Sequence, residues 1–330
     1  MVKSVWTMLK DTASDWSDDN ASRLAAALAY YTVLSIAPMM VLAVATAGLV
    51  FGEDAARGQI AAQLGSIVGP QASTAIQTII ANAKTPQSGV LGTLVGLAVL
   101  FFGASGVFGE LQASLNVVWE VAPKPGRGVR GFVEQRFFSF TMVLGVAFML
   151  LVSLALSAAL SAVGSVVSAA LPGGASVWQA VNFVVALGLI TVLFAMIFKV
   201  IPDAKVAWRD VWVGAFVTAL LFNLGKLGLG LYLGRASLGS PYGAAGSIIV
   251  LVVWVYYAAQ ILLLGAEFTQ VYARRHGDTI EPRAHATRVV MQRIEAGAEE
   301  SAKSGSESQP SAAKKDAPPG AAARAAAESV

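Results

Sequence analysis

Ionisable and amide side chains inside long apolar segments are the residues of this sequence that could bind a ligand. Lys226 lies well inside the apolar run 211–233 and follows Asn223 by three positions, so the two share a helix face. Because a lysine at the centre of a bilayer costs about 2.5–3.5 kcal/mol, its charge should be compensated. It could meet the phosphate or carboxylate of a substrate held between helices. Alternatively, its stem could reach the outer headgroups by snorkelling.

A polar stripe follows one side of the last apolar run of the chain. Tyr256, Gln260 and Glu267 are separated by four and seven positions, which places them on one face of a helix. Such a stripe should face protein or water rather than acyl chains. It indicates either a helix–helix contact or the wall of a substrate cavity. The predicted substrate-binding candidates are Lys226, Asn223, Tyr256, Gln260, Tyr30 and Tyr31.

Two glutamates near the ends of apolar runs form a second candidate group. Glu110 and Glu267 could meet Arg23 or Arg209 in a gate at the inner surface, or they could carry a coupled proton. Ion pairs that fix the helix ends at the interface are the alternative interpretation. Since the sequence has no nucleotide-binding loop, any transport is expected to be passive or driven by a gradient.

Catalytic and metal-binding residues are not predicted. The chain has no cysteine, and its two histidines, His276 and His285, follow the last apolar run. The sequence shows no His-x-x-x-His pair or compact group of carboxylates that could hold a metal or cleave a phosphodiester. The basic residues are scattered over short loops, without interleaved aromatic residues to stack bases. We therefore expect no enzyme activity, no cofactor and no nucleic-acid partner.

The elements that must position these residues are long apolar helices. With 56% hydrophobic residues, 13% charged residues and a mean hydropathy of +0.65, the chain is too apolar for an ordinary soluble globule. We predict an all-α, polytopic membrane protein with six transmembrane helices. The expected ranges are 25–52, 88–110, 137–171, 177–199, 211–233 and 246–272 for the helices, 1–22 for a cytoplasmic amphipathic helix, 53–84 for an outer amphipathic helical hairpin, and 278–330 for a disordered cytoplasmic tail.

The distribution of cations predicts the orientation of the chain. The inner connections are expected to hold Lys124, Arg127, Arg130, Arg136, Lys199, Lys205, Arg209, Arg274 and Arg275, whereas the outer ones hold only Arg57, Lys84 and Arg235. Because cytoplasmic loops carry an excess of Lys and Arg, both termini should be cytoplasmic. The expected location is the bacterial inner membrane.

Several short segments of the sequence resemble one family, the YihY/BrkB membrane proteins of bacteria. They are Ala26–Thr32, Ala37–Pro38, Gly103–Phe108, Ile201–Val206, Trp208–Trp212, Leu231–Gly234, Tyr242–Ser247, Trp254–Tyr257 and Gly265–Phe268. The resemblance extends from about Asp15 to Gly277 and leaves the tail out. It implies an inner-membrane protein with six helices. The family has carried a ribonuclease label and has been associated with serum resistance and with transport of lipids or small molecules.

The polar residues and the resemblance together lead to one expected function and one alternative. We expect an integral inner-membrane protein that translocates or binds an amphipathic or anionic molecule, such as a lipid. Its expected partners are membrane lipids and that substrate. The alternative is a non-transporting membrane scaffold or envelope-integrity factor, which would bind its partners through the tail or the outer hairpin.

Overall fold

The computed structural model describes most of the chain up to Val289, and its helices account for nearly all of the described residues. The described residues are 2–68, 74–78, 81, 89–125, 131, 137, 141, 145, 148–149, 152, 164, 174–235, 246–276 and 280–289. The helices with described bounds are α1 (Val2–Asp18), α2 (Ala21–Phe51), α3 (Glu53–Val68), α4 (Gly89–Val118), α5 (Gly174–Val200), α6 (Trp208–Arg235) and α7 (Gly246–Arg275). A first compact unit ends at Val289, and the second unit, Val290–Val330, lies outside the described residues.

Four helices in the described part of the chain are long and apolar enough to cross a bilayer. Their candidate spans are Ala21–Ala45, Trp178–Val200, Trp208–Leu231 and Ile248–Arg275, of 23 to 28 residues each. At 1.5 Å per residue these lengths correspond to about 35–42 Å, more than the ~30 Å hydrocarbon core. The chain is therefore a membrane protein with transmembrane helices, as predicted.

Two of the six predicted spans are not among these four helices. The expected span 88–110 falls on α4, a helix of 30 residues. The expected span 137–171 lies mostly outside the described residues, as do parts of the predicted outer hairpin 53–84. Within that hairpin, α3 is helical, and Ile60 and Ile76 are buried. The six-span topology and the hairpin remain predictions.

The helix α7 is the hub of the bundle, since it packs against α1, α2, α4 and α6. The end at which α2 and α6 begin and α4, α5 and α7 finish is called here the polar end. Near it, one apolar core joins α2, α4, α5, α6 and α7. Farther from it, in what is called here the far half, a second core joins α2, α3, α7 and the helical residues 74–78.

The helices α6 and α7 pack closely because glycines on each receive side chains from the other. An ideal Cβ on Gly265 would lie 1.9 Å from the hydroxyl oxygen of Thr218, and one on Gly214 would lie 1.7 Å from that of Thr269. Each threonine hydroxyl donates a hydrogen bond to the backbone carbonyl four residues earlier, which keeps it within its own helix. In these two antiparallel helices, each threonine side chain thus packs directly on the backbone of a glycine in the other helix.

The predicted start of the disordered tail, at residue 278, is wrong. Residues 280–289 are structured and add short strands to the predicted all-α fold. Four short strands form at the polar end: β1 (Val121–Pro123), β2 (Ala204–Lys205), β3 (Glu281–Pro282) and β4 (Ala286–Arg288). They make two antiparallel two-stranded sheets, β1 with β4 and β2 with β3. The physical reason is that residues 280–289 pair with distant connections of the chain, which no local pattern of the tail reveals.

Candidate functional site

Asp203 forms a buried polar node at the polar end. Its two carboxylate oxygens accept hydrogen bonds from the amides of Gln112, at 3.1 Å, and Asn116, at 2.9 Å, which lie one turn apart on α4. The Asp203 main-chain N–H donates to the Asn116 side chain at 2.8 Å. On its other side, the Nε2 atom of His285 lies 2.8 Å from Asp203 Oδ1. One carboxylate therefore joins α4, the α5–α6 connection and the segment 280–289.

Arg283 completes the attachment of the segment 280–289. Its main-chain N–H donates to the carbonyl of Asp203 at 2.8 Å. Its guanidinium donates to the carbonyls of Lys199 and Val200 at 3.0 and 3.1 Å. Because the last carbonyls of a helix have no partner within the helix, this arginine satisfies the end of α5.

Glu267 is fully buried at the polar end and lacks ordinary partners. It is 0% exposed, and neither of its carboxyl oxygens has a hydrogen-bond partner among the described residues. The carboxyl group of Asp19, in the turn between α1 and α2, faces it without a bond of normal geometry between them. The other charged groups that act on Glu267 are Asp15 and Arg274.

Asp19 is the half-buried member of this pair of acids. Burial is the main cause that raises the pKa of Asp19 above its ordinary value of 3.8. The nearby carboxyl group of Glu267 acts in the opposite direction, whereas the charges of Asp15, Glu120 and Asp18 raise the pKa of Asp19 further. The turn thus presents a carboxyl group that resists ionisation beside a buried one.

Ion pairs hold α1 against the end of α7. Arg274 bonds to Asp15, and Arg275 bonds to Asp11. On the α1 side of this contact Thr12 is buried, whereas Trp6 near the start of α1 is 61% exposed. The predicted helix within residues 1–22 is present, and its later half rests on the protein.

The predicted stripe on α7 is divided between two environments. Gln260 donates to the Tyr256 hydroxyl at 2.6 Å, and more weakly to the Ser22 hydroxyl of α2 at 3.4 Å. Its carbonyl oxygen is buried and has no partner in the described part of the chain. Tyr256 itself is 36% exposed. These two residues therefore lie along the contact of α7 with α2, and Glu267 lies deeper, at the polar end.

Three further candidates on α2 lie at the surface of the protein. Tyr30 and Tyr31 are 61% and 41% exposed, and their rings meet edge to face at 5.6 Å. Arg23 is exposed at the start of α2 and shares a helix face with Tyr30, seven positions later. The hydrogen-bonded group formed by Ser22 on α2 and by Tyr256 and Gln260 on α7 is called here the α2–α7 seam.

Lys226 and Asn223 lie on α6, away from this seam. Lys226 is partly buried on the helix face that also carries Phe222 and Leu229, and both of these pack against the cores. It takes part in an interaction with the rest of the protein. The Asn223 amide donates to the carbonyl of Ala219 at 2.8 Å, within its own helix.

The predicted gate residues are not brought together as one group. The charged groups acting on Glu267 within the described residues do not include Arg23 or Arg209. Arg209 pairs with the adjacent, fully buried Asp210 at 3.4 Å. Glu110 is partly buried on α4, two residues before Gln112. The acid that faces Glu267 is Asp19, which the sequence did not single out.

Both histidines have structural partners. His276 stacks on Tyr272, with ring centroids 4.0 Å apart, and His285 contacts Asp203. Among the described residues, no group of three or more histidine or acidic side chains is suited to hold a metal ion.

Comparison with known protein families identifies the family of this chain. The family described as Virulence factor BrkB matches residues 12–290. The chain belongs to the BrkB family. The resemblance of its short segments to YihY/BrkB proteins is thereby confirmed, and the matched range includes the segment 280–289 that completes the Asp203 node.

Individual relatives of this BrkB-family chain are named only as membrane proteins. It is 29% identical over 259 residues to a UPF0761 membrane protein of Rhodospirillum centenum, covering 76% of this chain and 54% of the relative. It is 31% identical to one from Verminephrobacter eiseniae, covering 76% of this chain and 58% of the relative. For one from Vibrio parahaemolyticus the identity is 32%, with 73% and 74% covered. The chain thus spans little more than half the length of the first two relatives. No solved structure matches it.

The residues of the BrkB-family site that sequence reasoning missed are Asp203, Asp19 and His285. Asp203 lies in the segment Ile201–Val206 that carries the resemblance, and Glu267 lies in another, Gly265–Phe268. A usable signal was present for Asp203: an isolated acid in a short connection, together with two amides four positions apart at the end of α4. For Asp19 the only signal was its place in the run of acids before α2.

Proposed function

We propose that this BrkB-family protein binds and translocates an amphipathic molecule with a polar or anionic headgroup, such as a membrane lipid. In this proposal it is a carrier rather than an enzyme, and its polar end faces the cytoplasm, as the distribution of Lys and Arg predicts. The observation that carries the proposal is the α2–α7 seam. There, polar side chains inside a membrane-spanning pair of helices reach the surface of the bundle.

Gln260 is the centre of the argument. A buried amide oxygen with no hydrogen bond costs about 1–3 kcal/mol, so its position calls for a donor that the protein itself does not supply among the described residues. The partly exposed hydroxyl of Tyr256 lies beside it. A molecule approaching from the bilayer could therefore donate to Gln260 and contact Tyr256, without entering an aqueous channel first.

Two exposed residues of α2 suit the two parts of an amphipathic molecule. Arg23 is exposed where α2 begins, at the polar end, and an arginine can bind a phosphate or carboxylate in bidentate fashion. Tyr30, farther along α2, is exposed beside apolar residues such as Leu34. Acyl chains would extend along that apolar surface while the headgroup stays near Arg23. Lys226, on the inward face of α6, would act on anionic groups that pass between the helices.

The test is movement of a fluorescent phospholipid across liposomes that contain the purified protein. We expect Gln260→Leu to reduce the rate at least tenfold and Lys226→Met to reduce it for anionic headgroups. The matched controls are Gln59→Leu, at an exposed position of α3, and Lys205→Met, at an exposed ion pair. If Gln260→Leu moves the phospholipid as fast as the control variants, the proposed site is overturned. If the unaltered protein does not move the phospholipid, the proposed function is overturned.

A scaffold that acts through the residues after Val289 would respond differently. Removing 290–330 should abolish the function of a scaffold and leave lipid movement unchanged in a carrier. The truncation must follow Val289. A cut after His285 would remove β4 and leave β1 without its pairing strand.

A further inference from the structure

The polar end contains a second pair of groups that the lipid proposal does not use, Glu267 and Asp19. Glu267 projects from α7 into the interior with no exposed surface, and both of its oxygens lack hydrogen bonds in the described part of the chain. Asp19 faces it from the turn between α1 and α2 and is only partly buried. Two carboxyl groups thus meet where an ionised pair would be strongly repelled.

Most of the charged groups that act on this pair within the described residues are acids. The groups facing it are Asp15 and Arg274 on the Glu267 side, and Asp15, Glu120 and Asp18 on the Asp19 side. Arg274 bonds to Asp15. Arg288 lies 3.4 Å from Glu120. The two nearby arginines are therefore each bonded to another acid, and the charges acting on Asp19 are all negative.

We propose that Glu267 and Asp19 form a proton-binding site, in which the two carboxyl groups hold one proton between them. The proton converts one carboxyl into a hydrogen-bond donor and the other into its acceptor. It removes the repulsion and gives one of the two buried oxygens of Glu267 a partner. A single proton is the cation that two adjoining carboxyl groups can share through one hydrogen bond.

The path of this proton runs through Asp19. Asn20, next to it, is exposed and adopts a left-handed backbone conformation with φ 53° at the turn into α2. This turn leaves Asp19 half-buried, between the solvent at the polar end and Glu267. Burial raises the pKa of Asp19, so this residue can accept a proton from solvent and pass it to Glu267.

Infrared difference spectra of the purified protein, recorded between acidic and alkaline buffers, test this site without any substrate. The proposal does not depend on lipid transport, because proton binding is measured directly. We expect a C=O stretching band of a protonated, buried carboxylic acid in the unaltered protein. It should disappear in Glu267→Gln and shift in frequency in Asp19→Asn. The control, Glu281→Gln at an exposed ion pair with Lys205, should leave the band unchanged.

The outcomes separate clearly. A band that survives unaltered in Glu267→Gln, or that is insensitive to Asp19→Asn, would overturn the proposal, and so would its absence from the unaltered protein. Should Glu267→Gln fail to fold, Asp19→Asn still decides, because its side chain lies in a partly exposed turn. Loss of the band with normal lipid movement would leave the proton site standing as independent of transport.

Discussion

The polar end and the far half of this bundle are held together by different forces. At the polar end, side-chain hydrogen bonds cross between elements: Asp203 joins α4 to the segment 280–289, and Arg283 joins that segment to α5. In the far half, the core consists of apolar residues such as Met40, Val44 and Leu251. On the outer surface there, Leu224 and Leu227 are 66% and 65% exposed.

This difference indicates which part of the molecule can rearrange. Helices in lipid gain little from the hydrophobic effect, so apolar surfaces associate mainly by shape. Separating the elements at the polar end would break the hydrogen bonds to Asp203 and leave its buried carboxylate unpaired. That separation costs far more free energy. We therefore expect the polar end to move as one unit and the far half to change its packing when a substrate binds.

The largest expected effect comes from breaking the node at the polar end. In Asp203→Ala, the amides of Gln112 and Asn116 and the ring of His285 lose their shared acceptor. Since removing one partner of a buried, charged network costs about 3–5 kcal/mol, thermal unfolding in detergent should shift to a much lower temperature.

Glu281→Ala is the control for this variant. It removes an exposed pair with Lys205 from the same region, which should cost less than about 1 kcal/mol. A thermal midpoint for Asp203→Ala that equals that of Glu281→Ala would show that the node does not hold the polar end together.

A smaller effect is expected where α6 and α7 make close contact. An added methyl in Gly265→Ala would lie against the Thr218 side chain, and overpacking of this kind costs about 1–3 kcal/mol. In Gly188→Ala on α5, the same methyl meets nothing within 4 Å, so stability should be unchanged or slightly higher. Thermal unfolding of the two variants provides the comparison. Equal midpoints would contradict a fixed contact between these helices.

Apolarity and length were sufficient to predict the described helices of the bundle. The expected spans 177–199, 211–233 and 246–272 fall within Gly174–Val200, Trp208–Arg235 and Gly246–Arg275. A run of uncharged residues as long as a bilayer is thick has few other stable conformations, because its backbone groups must bond within the segment. Sequence alone is therefore a good guide to such elements.

The candidate site could be predicted only in part. The pairing of Tyr256 with Gln260 followed from helical spacing, because both partners lie on one helix. The bonds of Asp203 join residues that are 82 to 91 positions apart in the chain. The pair of Glu267 with Asp19 likewise joins opposite ends of the sequence. Spacing within a segment carries no information about such contacts, so the sequence did not indicate that Asp19 lies beside Glu267.

The smallest expected effect concerns the raised pKa of Asp19, a feature of the polar end that opposes folding at neutral pH. The pKa of Asp19 is raised above 3.8 in the folded protein, so between these two values the folded chain binds more protons than the unfolded chain. Stability should therefore fall as the pH rises through this window and stay lower at neutral pH. In Asp19→Asn this loss is absent. The half-buried group is partly screened by solvent, so the difference should be on the order of 1 kcal/mol or less.

Thermal midpoints of the unaltered protein and Asp19→Asn, measured from acidic to neutral pH, give this difference. The variant should gain stability relative to the unaltered protein as the pH rises. Asp54→Asn, at an exposed position of α3 that is not among the groups acting on Asp19, is the matched control and should leave the change of stability with pH as it is in the unaltered protein. A constant difference at every pH would mean that Asp19 is ionised as readily in the folded chain as in the unfolded one. Burial of Asp19 beside Glu267 would then not lower the stability of the folded protein at neutral pH.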